Sequence, residues 1–262
     1  MGNFLKLGVS IGDPNGIGLE IILKAFSHQN TLSDFIPTVY SNVEIIEFHL
    51  AHLKLDLEIN VIKSISESLN GKLNVFEISS SNFKVDFGKS NIQSGDIAFR
   101  SLSTATKHII ENKIDCLVTA PIDKNTIQSK DFEFNGHTEY LTKISNKNNS
   151  LMLMVHQNLK VGVVTNHLSI DKIAESISIE LILNKIAILE NSLKNDFNIK
   201  NPKIALLGLN PHSGDGGLIG IEEITIIKPA IESAKLKKYN VFGPFPPMGF
   251  LPVKCTKNLT LF

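Results

Sequence analysis

The chain has 262 residues, 42% of them hydrophobic, and its 26 lysines and arginines are balanced by 26 aspartates and glutamates. That length supports one large or two modest domains. Zero net charge without long basic or acidic runs argues against nucleic-acid binding as the main activity. The two cysteines, Cys116 and Cys255, offer neither a disulfide framework nor a metal-knuckle spacing, and Cys116, in the run Cys116-Leu-Val-Thr119, reads as a small core residue. No apolar segment approaches a membrane span and residues 4–11 are too short for a signal sequence, so a cytoplasmic protein without a membrane partner is expected.

Residues 4–11 predict a first strand, followed by the loop Gly12-Asp-Pro-Asn-Gly-Ile-Gly18 and a helix over 19–27. A Gly-rich loop between strand and helix either offers backbone N–H groups to an anion or forms only a tight turn. These glycines do not fit G-x-G-x-x-G and the P-loop Lys-Ser/Thr is absent, so no dinucleotide fingerprint is present. A strand over 36–40 and a helix over 43–53 follow, with His49 and His52 on one expected solvated helix face. Strands are predicted over 59–65 and 73–78, a polar surface excursion over 79–91, and a helix from Ser94-Gly-Asp96 to about residue 112. The strand over 115–120 ends in Pro121-Ile-Asp-Lys-Asn125, which is read as opening a short helix. Gly136-His137-Thr138 then stands at a helix start, where side chains and N–H groups can converge on a phosphate or carboxylate.

Residues 151–155 and 160–165 predict two strands around a turn at Gln157-Asn158, with His156 structural. The second strand ends in Thr165-Asn-His-Leu168, which places His167 at a strand end. Ser169 and Asp171 are N-cap candidates for a single helix running to about residue 193, with Ile173, Ile177, Ile182, Ile186 and Leu189 on one face. A buried strand over 203–208 leads into Gly208-Leu-Asn-Pro-His-Ser-Gly-Asp-Gly-Gly217, then a helix over 222–237 and a last strand with a Pro-rich turn over 241–247. Strands and helices alternate, which predicts an α/β fold with mostly parallel sheets. A break near 121–136 suggests two α/β domains, 1–130 and 131–262. Ligands of such sheets sit beyond the carboxyl ends of strands, where the loop at 208–217 offers Asn210, His212 and Asp215; the alternative is an ordinary polar turn. His137, His167 and His212 all lie in such loops or helix starts. Two imidazoles and a third ligand would hold a divalent ion with an open position, able to polarise an alcohol or ketone oxygen.

Six segments in order carry a resemblance: Gly12-Asp-Pro-Asn-Gly-Ile-Gly18, Thr119-Ala-Pro-Ile-Asp-Lys124, Gly136-His-Thr-Glu139, Thr165-Asn-His-Leu168, Asn210-Pro-His-Ser-Gly214 with Glu222-Glu223, and Gly243-Pro-Phe-Pro246. Together they resemble the 4-hydroxythreonine-4-phosphate dehydrogenase family of pyridoxal phosphate biosynthesis. The resemblance implies a two-domain fold like that of isocitrate and isopropylmalate dehydrogenases, and a homodimer whose active site is shared between subunits. It implies oxidation of 4-phosphooxy-L-threonine at its 3-hydroxyl by NAD (or NADP), followed by decarboxylation to 3-amino-2-oxopropyl phosphate. It further implies that His137 and Thr138 contact the small phosphorylated hydroxy-amino acid substrate. His167 and His212 would be two of three ligands to a divalent metal (Zn, Mg, Mn or Co). Asp13 and Asn210 lie in matching motifs without an assigned role.

The likeness stops after Pro246. The family continues with Ala-Asp and later a Met-Tyr-His-Asp-Gln-Gly stretch whose His is the third metal ligand, whereas this chain reads Pro247-Met-Gly-Phe-Leu-Pro-Val-Lys-Cys-Thr-Lys-Asn-Leu-Thr-Leu-Phe262. One choice of codons for 247–262 reads Ala-Asp-Gly-Phe-Phe once a single base is restored after Pro246, so this tail is read as truncated or frame-shifted. The expectation is a fold with its C-terminal part missing, exposed apolar surface, and little or no activity. Two alternatives stand beside it. One is a dehydrogenase of a related four-carbon sugar-acid phosphate, threonate or erythronate 4-phosphate. The other is a non-catalytic phosphometabolite-binding remnant.

Overall fold

The computed structural model describes residues 4–28, 31–78, 83–249 and 259–262. The chain divides into two compact units, Met1–Lys147 and Asn148–Phe262. The division falls after the 130/131 boundary expected from composition. The reason is aromatic packing: Tyr140 lies with Phe132 at 5.4 Å and Phe134 at 5.5 Å between ring centroids, in a buried cluster with Ala98, Leu102 and Ile127. That cluster ties the segment around residue 140 to the first unit.

The first unit runs β1 (Leu5–Ser10), α1 (Gly18–Ser27), α2 (Thr31–Asp34), β2 (Phe35–Ser41), α3 (Val43–Leu53), β3 (Ile59–Ile62), β4 (Leu73–Glu77), α4 (Ile92–Ile110), β5 (Cys116–Thr119) and α5 (His137–Ile144). All five strands are parallel, in the order β3-β4-β2-β1-β5. A parallel sheet must be covered on both faces, and the sequence supplies both. Val9, Val39 and Val75 pack with Leu19, Leu23, Ile45 and Ile46 from α1 and α3. The next residue of β2, Tyr40, turns to the other face and packs with Ala105 of α4. The Tyr40 hydroxyl and His108 Nδ1 lie 3.0 Å apart there. The expected short helix after Pro121 is a run of turns instead, in which the Asp123 carboxylate accepts from the N–H groups of Asn125 and Thr126. Residues 79–82 of the expected surface excursion lie outside the described residues. Cys116 is half-buried in β5, and Cys255 lies outside the described residues.

The face carrying His49 is not solvated as expected. His49 is 1% exposed, with Nε2 3.0 Å from the Pro14 carbonyl oxygen. The loop 12–18 folds over α3 and buries it. Phe87 also packs against it, edge-on at 5.2 Å.

The second unit runs β6 (Met152–His156), β7 (Leu159–Val163), α6 (Ile173–Ser176), α7 (Ile179–Asn195), β8 (Lys203–Leu207), α8 (Lys228–Leu236), β9 (Val241–Phe245) and β10 (Leu259–Leu261). The strand order is β6-β7-β10-β8-β9, parallel except for the β6-β7 hairpin. The single helix expected over 169–193 is broken. A short 3₁₀ turn and α6 end at residue 176, and α7 starts afresh with Ser178 as its N-cap, its hydroxyl accepting from Leu181 N–H at 3.1 Å. Ser169 makes no such side-chain cap. The apolar stripe hid the break because Ile177 stays buried across it.

The C-terminal part expected to be missing is one that would complete the first unit; the last described residues instead belong to the second unit's sheet. Leu259–Leu261 lie between β7 and β8, and Phe262 donates to the Ala205 carbonyl at 2.8 Å while accepting from Leu207 N–H at 2.7 Å. Phe262 packs on Gly162, where an added Cβ would come within 2.9 Å of its ring. Leu261 is 1% exposed. Leu261→Ala is therefore expected to cost about 2–5 kcal/mol in urea unfolding. A change under about 0.5 kcal/mol, the ordinary surface value, would show that β10 does not fill this slot.

Candidate active site

In the first unit the chain winds away from β1 to β2 on one side and returns to place β5 on the other. The strand ends on either side of such a reversal open the crevice in which α/β sheets bind ligands. The loops after β1 and β5 touch there. Gly12 has φ +66°, and a Cβ on it would come within 2.0 Å of the Pro121 carbonyl oxygen, so only glycine fits. Asp13 N–H donates to that same oxygen at 2.9 Å, and the Asp13 side chain accepts from Asn15 N–H at 2.9 Å. The Asp13 carbonyl accepts from Gly16 N–H at 3.0 Å. The N–H groups of Asp13, Asn15 and Gly16 are thus spent on protein acceptors, and the loop is a tight βα connection.

Across this edge lies the start of α5. Gly136 is its N-cap, and His137 and Thr138 form its first turn. The first N–H groups of a helix have no intrahelical partner and carry a partial positive charge. His137 is half-buried and its Nε2 is buried without a hydrogen-bond partner. Burial, and then the nearby positive charge of Lys124, hold its pKa below 6.5, so the imidazole is neutral near pH 7. The Lys124 side chain reaches to within 4.0 Å of where a Cβ on Gly136 would stand. The Glu139 carboxylate of the same turn comes nearer still, with Oε2 at 3.6 Å from that point, so helix start, hydroxyl, neutral imidazole and ammonium, which suit an anionic group such as a phosphate, share the site with one acid. Expected for His137 and Thr138, this cluster also includes Lys124, to which no role was given from the sequence. The available signal was its place closing the polar loop after β5. Gly95 of α4 fixes that loop from behind, because a Cβ there would meet the Thr126 carbonyl oxygen at 1.9 Å.

In the second unit His167 and His212 leave the carboxyl ends of β7 and β8, the strands flanking β10. Both are exposed, and His167 has a left-handed backbone with φ 55°. The loop holding His212 is built from within. Asn210 Oδ1 accepts from His212 N–H at 3.0 Å, Asn210 Nδ2 donates to the Ile219 carbonyl at 3.2 Å, and Asn210 N–H donates to Glu223 Oε1 at 2.9 Å. Asp215, also at first a candidate, is exposed and lies in a run of five residues of positive φ, Ser213–Gly217. An apolar cavity of about 280 Å³ adjoins these strand ends, lined by Val163, Thr165, Ile177, Leu206, Gly208 and Phe262 among others. Ile170 and Leu218 stand largely exposed on the loops around it.

A catalytic divalent-metal site commonly uses three protein donors and keeps one position open. Among the described residues no group of three or more His, Cys, Asp or Glu side chains could hold a metal ion. His167 and His212, expected from the sequence as two of three donors, stand on the loops after β7 and β8. Among the described residues, too, no helix is long and apolar enough to cross a membrane.

Two α/β units, each with a largely parallel sheet and polar loops at the carboxyl ends of its strands, define a two-unit α/β protein. Comparison with known proteins narrows this. Residues 34–259 match the family model described as pyridoxal phosphate biosynthetic protein PdxA, and the chain belongs to that family. It is 39% identical over 250 residues to a 4-hydroxythreonine-4-phosphate dehydrogenase of Bacteroides thetaiotaomicron, covering 95% of this chain and 69% of that protein. It is 30% identical over 244 residues to a D-threonate 4-phosphate dehydrogenase of Salmonella typhimurium, covering 92% of this chain and 74% of that one. A crystal structure of 4-hydroxythreonine-4-phosphate dehydrogenase from Klebsiella pneumoniae superposes with a TM-score of 0.85 at 28% identity, over 100% of this chain and 80% of that one.

The histidines of the first unit set a pH dependence. His49, His108 and His137 all have pKa values lowered below 6.5, each mainly by burial. The unfolded chain therefore takes up protons before the folded one as pH falls. Stability is full above about 6.5 and declines below it. Thermal melts should be flat from about pH 8 to 7 and fall steadily between about pH 6.5 and 5. Melting temperatures that hold or rise across the lower range would contradict the burial of these rings.

Proposed function

We propose that this protein is a dehydrogenase of a phosphorylated four-carbon substrate, and that the substrate is 4-phosphooxy-L-threonine. It oxidises the 3-hydroxyl, and the resulting β-keto acid loses CO2 to leave 3-amino-2-oxopropyl phosphate on the route to pyridoxal phosphate. The reading takes in NAD or NADP, a divalent metal, and a homodimer with a shared site. Family membership supports it, and the observation that carries it is the start of α5, where an unpartnered buried Nε2 on His137 adjoins Thr138 and the Lys124 charge.

The phosphate is held at this helix start. The N–H groups of the first turn and the Thr138 hydroxyl donate to its oxygens, and His137 Nε2 gains on the ligand the partner it lacks in the protein. Lys124 adds a full positive charge at the rim. A neutral imidazole avoids setting a half-buried charge beside that exposed ammonium. His167 and His212 would hold the metal. When bound, the nicotinamide supplies a hydride acceptor and the metal supplies positive charge beside the reacting oxygen.

A second reading is favoured by the Salmonella typhimurium relative, whose substrate by name is D-threonate 4-phosphate. His137, Thr138 and Lys124 address the phosphate, which both substrates carry. The two are separated by NADH formation measured in parallel on both compounds with a divalent metal. A higher kcat/KM on 4-phosphooxy-L-threonine, abolished by His212→Ala, is the expected result. The reverse preference would transfer the assignment to the threonate phosphate, and turnover of neither would leave a binding protein rather than an enzyme.

A further inference from the structure

The loop at 208–214 lies on a buried carboxylate. Glu223 is 1% exposed and opens a single π-helical turn, Glu223–Ile227, ahead of α8. Turns of this kind are rare and frequent at functional sites. The Glu223 carboxylate accepts from Asn210 N–H through Oε1 at 2.9 Å, while Oε2 is buried without a partner. The main chain is shaped to admit this carboxylate. A Cβ on Gly208 would lie 3.1 Å from Oε1 and 2.6 Å from Ser213 Oγ, itself buried without a partner. A Cβ on Gly214, whose φ is +73°, would lie 2.8 Å from Oε2. Two glycines of the loop thus serve to let backbone rest against a carboxylate.

From that contact the order is passed outward. Asn210, gripped at its N–H by Glu223, accepts from His212 N–H with its own side chain at 3.0 Å, and its carbonyl accepts from Ser213 N–H at 2.8 Å. We infer that Glu223 is the positioning residue for His212: a carboxylate beneath the loop that fixes the Asn210-Pro-His turn and so aims the imidazole. The inference deepens the proposed function and rests on its reading of His212 as a functional group. A buried glutamate that served packing alone would gain by replacement with an apolar side chain. Here the loop keeps an incompletely satisfied acid, and such exceptions among buried polar groups call for a functional cause.

The test compares wild-type protein with Glu223→Ala, Glu223→Gln and His212→Ala by two readouts. The first is amide hydrogen exchange of the 208–214 segment against α7 in the same molecule. Glu223→Ala should speed exchange in the loop by roughly tenfold while leaving α7 unchanged, and Glu223→Gln, which keeps an oxygen for Asn210 N–H, should restore it. The second is zinc affinity by competition with a chromophoric chelator. The part of it that His212→Ala removes should weaken about 10- to 100-fold in Glu223→Ala and recover in Glu223→Gln. Exchange that is unchanged in the loop, or that rises equally in α7, overturns the inference, as does zinc binding that depends on His212 but not on Glu223. Zinc binding equal in wild type and His212→Ala counts against the proposed metal role alone, and the exchange comparison then decides the positioning role.

Discussion

A parallel β-sheet buried on both faces leaves little but its strand ends to meet solvent, and the first unit of this chain is built under that constraint, while the second meets it less fully, its antiparallel edge strand β6 being largely exposed. In the first unit Val39 and Tyr40 of one strand are buried on opposite faces. In the second, α7 and α8 pack with Ile204, Leu206 and Val241 of the sheet. Once the faces are spent on the core, polar chemistry is confined to loops at the carboxyl edge. His137, His167 and His212 all stand on loops or helix starts that follow strands.

The loops are not free to take any shape. In each unit glycine is required where main chain must touch main chain. Gly12 is pressed on the Pro121 carbonyl, Gly95 on the Thr126 carbonyl, and Gly214, beside the Glu223 carboxylate, on the Gly220 carbonyl. These contacts have the same consequence. They convert flexible polar segments into fixed platforms, so that a side chain a residue or two away is held in one orientation before any ligand arrives. Such preorganisation lowers the entropy cost of binding.

Much of this was legible in the sequence. The strand runs, the helix start at Gly136-His137-Thr138 and the placing of His167 and His212 at strand ends follow from apolar runs bounded by Gly, Pro and Asn. The misses have physical causes. Periodicity could not see the break at 177–178, because Ile177 remains buried through it and only the Ser178 hydroxyl marks the new start. His49 looked solvated because its cover, the Pro14 carbonyl, lies far away in sequence. The central place of Leu259–Leu261 depends on pairing with two distant strands, and so few residues carry no pattern of their own. Glu223 did leave a trace, since Ile227, Ala230, Ile231 and Ala234 follow it on the buried stripe of the same helical segment. An acidic residue at the head of an apolar stripe is a signal worth reading.

The central claim is that the start of α5 recognises the phosphate of the substrate. Calorimetric titration of the purified chain with 4-phosphooxy-L-threonine and with unphosphorylated 4-hydroxythreonine tests it most directly. Binding that requires the phosphate, weakens steeply with added salt and is lost in His137→Ala and Lys124→Ala is the predicted result. Equal binding of the two compounds, or binding of the phosphate indifferent to both substitutions, would place recognition elsewhere and contradict the account.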